Sequence, residues 1–190
     1  DAGHRFAPAA GFPGRCKGLR IPTLEEAFEL LPGVRFNIEI KEAAPGVVER
    51  TLETIGKAGR AERTLLAAEK DPIMAAIRNA VARTGVAVAI GACVGDVLRC
   101  VKAAIEDTAP PPGVMALQIP AAFGGRPVVT PELVSFAHRH DIQIHVWTVN
   151  EPGEMQTLLD LGVDGLISDH PARVRDVVRA RAGAASAERC

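Results

Sequence analysis

Apolar and polar positions alternate over Phe36, Asn37, Ile38, Glu39, Ile40 and Lys41. A period of two predicts a β-strand with one apolar face, and it gathers an amide, a carboxylate and an ammonium on the other. Upstream, Thr23-Leu24-Glu25-Glu26 reads as a capping box, with Thr23 as N-cap and Glu26 three residues on. Leu24, Ala27, Phe28 and Leu31 then recur at helical spacing until Pro32-Gly33 stops the helix.

Downstream the pattern repeats as strand and helix. Val48, Leu52 and Ile55 mark a helix ending near Gly59, and Thr64 to Ala68 is a short strand. Asp71-Pro72 opens a helix as N-cap and first helical residue, carried on by Ile73, Ile77 and Val81. Val86 to Ile90 is a strand; Val94, Val97, Leu98, Val101 and Ile105 make a helix. Val114 to Ile119 is a strand, and Phe123 to Pro127 reads as a loop. Thr130-Pro131 begins a helix through Leu133, Val134 and Ala137; Ile142 to Val149 is the longest strand. Met155, Leu158 and Leu159 form a helix closed by Gly162. Val163 to Ser168 is the last strand, and Val174, Val177 and Val178 face the last helix inward. Residues 1–22 read as a loop segment, and the small, polar residues 183–190 as a tail expected to fray.

Six strands, each followed by a helix, predict a parallel α/β sheet with right-handed crossovers. A doubly wound open sheet and part of an eight-stranded barrel both satisfy that order. No Gly-rich dinucleotide loop follows any strand, which weakens the open-sheet cofactor reading.

Composition narrows the function classes. The 190 residues are 47% hydrophobic and carry a net charge of -1. Neither nucleic acid nor an anionic membrane has an electrostatic case with that balance. No apolar run reaches the length of a membrane span. No secretory signal is visible, which favours the cytoplasm without fixing a compartment, and the chain begins at Asp1 without a Met. Cys16, Cys93, Cys100 and Cys190 show no CxxC spacing, so isolated thiols are expected.

Candidate chemistry collects at the carboxyl ends of the strands, where ligands gather in both architectures. Glu39 and Lys41 close the first strand. Gln118 nearly closes the fourth, Trp147 and Asn150 the fifth, and Ser168 and Asp169 the sixth. Strands of βα units are usually buried on both faces, and burying Glu39 and Lys41 is costly unless they are paired. The first strand is therefore an edge, or its polar face lines a site. Bland roles stay open beside the functional ones: a loop bond for Gln118, core packing for Trp147, helix caps for Asn150 and Asp169. His145 reads as a bonded interior residue, and His138 and His140 as exposed at a helix end.

Five segments occur in order: Gly18-Leu19-Arg20-Ile21-Pro22-Thr23-Leu24-Glu25-Glu26, Asn37-Ile38-Glu39-Ile40-Lys41, Leu117-Gln118-Ile119-Pro120, Val146-Trp147-Thr148-Val149-Asn150 and Gly165-Leu166-Ile167-Ser168-Asp169-His170-Pro171. Together they resemble the glycerophosphodiester phosphodiesterases, from Asp1 to about Ala180. The resemblance implies a (β/α)8 TIM barrel, with six of its eight strands present as a partial barrel over residues 23–182. It implies metal-dependent hydrolysis of glycerophosphodiesters to glycerol 3-phosphate and an alcohol. It assigns Glu39 as a ligand of a divalent cation, Ca2+ or Mg2+, Lys41 as the phosphate contact, and Trp147 and Gln118 to the substrate. A hard cation prefers carboxylate oxygen, and a cation beside an ammonium neutralises developing phosphoryl charge.

The family's His-Arg-Gly, Glu-x-Asp metal and His-Asp motifs, the first and last of which supply its catalytic His pair, are missing from the sequence. None of His4, His138, His140, His145 or His170 matches that pair, and Asp1-Ala2-Gly3 resembles the segment that follows those motifs. The expectation is the downstream portion of such an enzyme, inactive alone and prone to self-association through open barrel edges. A non-catalytic phospho-ligand binding protein on a degenerate barrel and an unrelated α/β enzyme are the alternatives.

Overall fold

The computed structural model describes residues 8–42 and 44–187; Asp1-Ala2-Gly3, His4 and Cys190 lie outside them. Strand β1 (Phe36–Glu39) pairs in parallel with β2 (Thr64–Ala67), and β2 with β3 (Ala89–Ile90). A second parallel ladder joins β4 (Ala116–Pro120), β7 (Gln143–Trp147) and β8 (Gly165–Leu166). A bridge between Gly91 and Ala116 links the two ladders, with Ala92 N donating to Ala116 O at 2.9 Å and Met115 N to Ile90 O at 3.0 Å. The parallel order is thus β1-β2-β3-β4-β7-β8. Among the described residues β1 and β8 each have one neighbour, and no closed barrel is seen.

Helices α2 (Val47–Lys57), α3 (Asp71–Thr84), α4 (Val94–Glu106), α5 (Pro131–Arg139) and α6 (Pro152–Asp160) connect successive strands of this array. Helix α1 (Leu24–Leu30) precedes it and α7 (Pro171–Ala187) follows. The Thr23–Glu26 capping box forms as its sequence dictates, with Thr23 Oγ1 accepting from Glu26 N and Glu26 Oε2 from Thr23 N. Arg60 closes the other end of α1 by donating to the carbonyls of Phe28 and Pro32, acceptors that a helix end leaves unpaired.

Three local expectations change. Residues 122–127 form an antiparallel hairpin, β5 (Ala122–Phe123) and β6 (Arg126–Pro127), where the sequence read as a loop. Gly124 and Gly125, both at positive φ, make the reversal. Lys70, not Asp71, is the N-cap of α3: the Asp71 carboxylate turns away to accept the Gly95 N–H at the start of α4, at 3.1 Å. Helix α7 runs on to Ala187 in place of a tail from Gly183, as its alanine-rich sequence permits.

The core has two clusters under the helices. One holds Phe28, Leu52, Ile55, Leu66, Met74 and Ile77; the other holds Leu117, Ile119, Phe136, Ile144, Val146 and Met155. Asp96 is the one charged side chain fully buried among the described residues. It accepts from Arg78 Nη2 and Arg99 Nη2, each at 2.7 Å, and from the Cys93 thiol at 3.1 Å. Burial raises the Asp96 pKa, but hydrogen bonds from Arg78, Cys93 and Arg99 outweigh it and hold the group below its ordinary value. Cys16, Cys93 and Cys100 are free thiols. No helix among the described residues is long and apolar enough to cross a membrane.

Candidate active site

Register decides which side chains meet. Partners in a parallel ladder point to the same side of the sheet. Glu39 is in register with Ala67, Gly91 with Ala116, Gln118 with His145, and Pro120 with Trp147. One face therefore carries Asn37, Glu39, Ala67, Gly91, Gln118, His145 and Trp147. The opposite face carries Ile38, Leu66, Leu117, Ile119, Ile144 and Val146 against the helices. The polar side of the first strand belongs to a face whose polar residues lie on β1, β4 and β7, with Leu65, Ala67, Ala89, Gly91 and Ala116 between them.

Lys41 Nζ donates to Glu39 Oε2 at 2.7 Å just beyond the end of β1. The hydrogen bond and charge of Glu39 raise the Lys41 pKa, with Glu69 adding a smaller attraction, so the ammonium stays charged. Both groups remain open to solvent. Gln118 lies deeper. Its Oε1 would stand 3.5 Å from a Cβ on Gly91, and its Nε2 is buried with no hydrogen-bond partner. A buried amide donor without an acceptor is costly, which marks the spot as one a ligand oxygen would satisfy. Gly91 escaped sequence reading; the signal available was a glycine at the end of a short strand, where a close approach is needed.

Trp147 is 44% exposed, so it is not a core residue. Ile167 N donates to Val146 O at 2.8 Å and Ile167 O accepts from Val149 N at 2.9 Å. Both bonds end on one residue, so Trp147 and Thr148 stand out from that side of the ladder; the peptide between them is cis. Asn150 does not cap α6, whose N-cap is Glu151. Its side chain reaches Ser168 and Asp169. Asp169 likewise serves this link.

The described histidines are bonded or packed to residues other than Glu39 and Lys41. His145 Nε2 pairs with Gln143 Oε1 at 3.1 Å, and burial pushes its pKa down, with Asp164 opposing. His138 pairs with Asp164 at 3.0 Å, and His140 packs its ring against Phe136. His170 is exposed, its N–H bonded to Ser168 Oγ. Among the described residues no group of three or more His, Cys, Asp or Glu side chains converges on a point fit for a metal ion. Calcium and magnesium need about six oxygen ligands, whereas Glu39 brings one carboxylate that Lys41 already holds. The described residues alone do not make a cation cage.

Comparison with known proteins adds an independent line. The chain matches the Glycerophosphoryl diester phosphodiesterase family over residues 5–173. A Mycobacterium tuberculosis protein named "Probable glycerophosphodiester phosphodiesterase 2" is 36% identical over 175 residues, covering 86% of this chain and 62% of the relative. This chain therefore spans under two thirds of that relative's length. Among solved structures, the glycerophosphoryl diester phosphodiesterase domain of an uncharacterized M. tuberculosis protein superposes with a TM-score of 0.74 at 15% identity, over 95% of this chain and 72% of that one. An Oleispira antarctica phosphodiesterase in complex with the product sn-glycerol-3-phosphate superposes at 0.61 with 19% identity, over 84% of this chain and 62% of that one. These two likenesses carry the fold, and the family match carries the membership that the Glu39–Lys41 and Trp147–Asn150 segments suggested. The chain belongs to the glycerophosphoryl diester phosphodiesterase family.

Proposed function

We propose that this chain carries the substrate-holding portion of a glycerophosphodiester phosphodiesterase, which hydrolyses glycerophosphodiesters to glycerol 3-phosphate and an alcohol. The carrying observation is the strand register, which sets Glu39, Gln118 and Trp147 on one face of a parallel array, within the span of the family match. The chain contributes six of the eight strands of a (β/α)8 barrel. Lys41 meets the phosphate, its charge secured by Glu39. The orphan Gln118 Nε2 donates to a substrate oxygen, and Trp147 walls the glycerol side. Glu39 offers one ligand to a divalent cation, calcium or magnesium, which would supply charge neutralisation at the phosphoryl group when bound. The other ligands are not among the described residues.

Hydrolysis also needs an acid and a base, groups worth about 10²–10⁴-fold. No described histidine bonds to Glu39 or Lys41 and none matches the family's catalytic pair, so the chain alone is expected to bind without turning over. A non-catalytic phospho-ligand binding protein has the same site, and the lack of a metal-binding cluster among the described residues favours it as the second reading. The test has two arms. Purified residues 1–190 are assayed for glycerol 3-phosphate release from glycerophosphocholine with calcium or magnesium, and for glycerol 3-phosphate binding by Trp147 emission. Binding without release is expected. Turnover that disappears in Glu39→Gln would overturn the inactivity, and absence of binding would overturn the site.

A further inference from the structure

We propose that Asn150 is a positioning residue that sets the placement of Trp147 by locking the loop after β7 to the loop after β8. The inference rests on reading Trp147 as a wall of the ligand site. Trp147 and Thr148 stand out between two backbone bonds that share Ile167. On its other side Trp147 stays in register with Pro120 of β4, but toward β8 backbone pairing holds the loop at Ile167 only, and side chains add the remaining constraint there. Asn150 supplies it. Its Oδ1 accepts from Ser168 Oγ and from Asp169 N, each at 3.0 Å, and its Nδ2 donates to Asp169 Oδ2 at 3.1 Å.

The amide matches this position in a way no other side chain does. One end faces two donors and the other faces a carboxylate. Aspartate would set two carboxylates together; alanine would remove the acceptor for the Ser168 hydroxyl and the Asp169 N–H and the donor to the Asp169 carboxylate. The charged groups around the link are Asp169 itself, Arg173, which donates to Asn150 O at 3.0 Å, and Glu151, 3.6 Å from Arg173. His170 adds only its backbone N–H, bonded to Ser168 Oγ at 3.0 Å. The three bonds of the Asn150 side chain run between residues 18 or 19 positions apart, so the link joins two loops at the carboxyl ends of their strands and shapes the site mouth.

Trp147 is the sole tryptophan of the chain, so its emission reports this loop alone. Three variants of the full chain are compared without ligand: Asn150→Ala, Asn150→Asp, and Asn150→Asp combined with Asp169→Asn. Both single variants are expected to shift Trp147 emission to the red and to raise its quenching by acrylamide, with the helical circular dichroism unchanged. The double exchange returns an amide donor opposite a carboxylate, keeps the acceptor for Ser168 Oγ, and should return both signals toward wild type. Where Asn150→Ala loses its helical signal, Asn150→Asp against the double exchange decides. Unchanged emission in the folded single variants, or a double exchange no better than Asn150→Asp, would overturn the proposal. Failure of glycerol 3-phosphate to alter wild-type emission would count against the ligand site and not against this link.

Discussion

Lys41 Nζ and Glu39 Oε2 stand 2.7 Å apart at the carboxyl end of β1, and the carboxylate holds the ammonium in its charged form. The carboxylate raises the pKa of the ammonium. In Glu39→Gln that support is gone, so the Lys41 pKa falls toward its ordinary value. At mildly alkaline pH a larger share of Lys41 is then neutral. Amine-directed acylation followed by mass spectrometry should show faster labelling of Lys41 in Glu39→Gln than in wild type; equal rates would refute the coupling.

Among the described residues no group of three or more His, Cys, Asp or Glu side chains gathers about Glu39, which implies weak cation binding. Single-carboxylate sites lack the ligand count of even the loosest calcium modules, so calorimetry should find affinities on the order of millimolar or weaker for calcium and magnesium. A micromolar constant would mean that other oxygens of this chain complete a cage.

Asp96 is the charged residue on which α3 and α4 depend. Asp96→Ala leaves Arg78 and Arg99 without their buried partner and should cost about 3 kcal/mol in urea unfolding, the low end for breaking a buried pair because both arginines keep water access. Asp96 titrates below its ordinary range in the folded chain. Its contribution is therefore whole above the unfolded pKa of about 4 and is lost as pH falls through the lower folded value. The gap between wild type and Asp96→Asn should narrow on acidification. A gap that widened would reverse the sign.

Gly165 leaves room for the ring of His145, since a Cβ there would meet His145 Cδ2 at 2.8 Å. Gly165→Ala should destabilise by about 1–3 kcal/mol through overpacking. In a His145→Ala background the same change should cost almost nothing, a coupling that a double-mutant cycle measures.

How much of this was legible depends on how far apart the partners lie. The strand around Ile38, the Thr23 cap and the order of helices follow from neighbours within a few residues, and period and capping chemistry expose them. The shared face of Glu39, Gln118 and Trp147 was legible only as parity within each strand; register between strands came from the fold. Asp71 and Asn150 misled as caps for one reason. Each has a better partner far along the chain, Gly95 for one and Ser168 with Asp169 for the other, and local propensity is blind to such competition. Arg78 and Asp96 sit on different helices, so nothing in either helix alone announces their pairing. The hairpin at Ala122–Pro127 has strands too short to show alternation.

Two ladders, each over its own apolar cluster, meet at the Gly91–Ala116 bridge, and the Arg78–Asp96 pair and the Asp71–Gly95 bond tie α3 to α4 across the same boundary. Glu39 and Lys41 ride on one ladder; Gln118 and Trp147 ride on the other. The assembly of one ligand site from two ladders therefore depends on the contacts at this boundary as much as on either core.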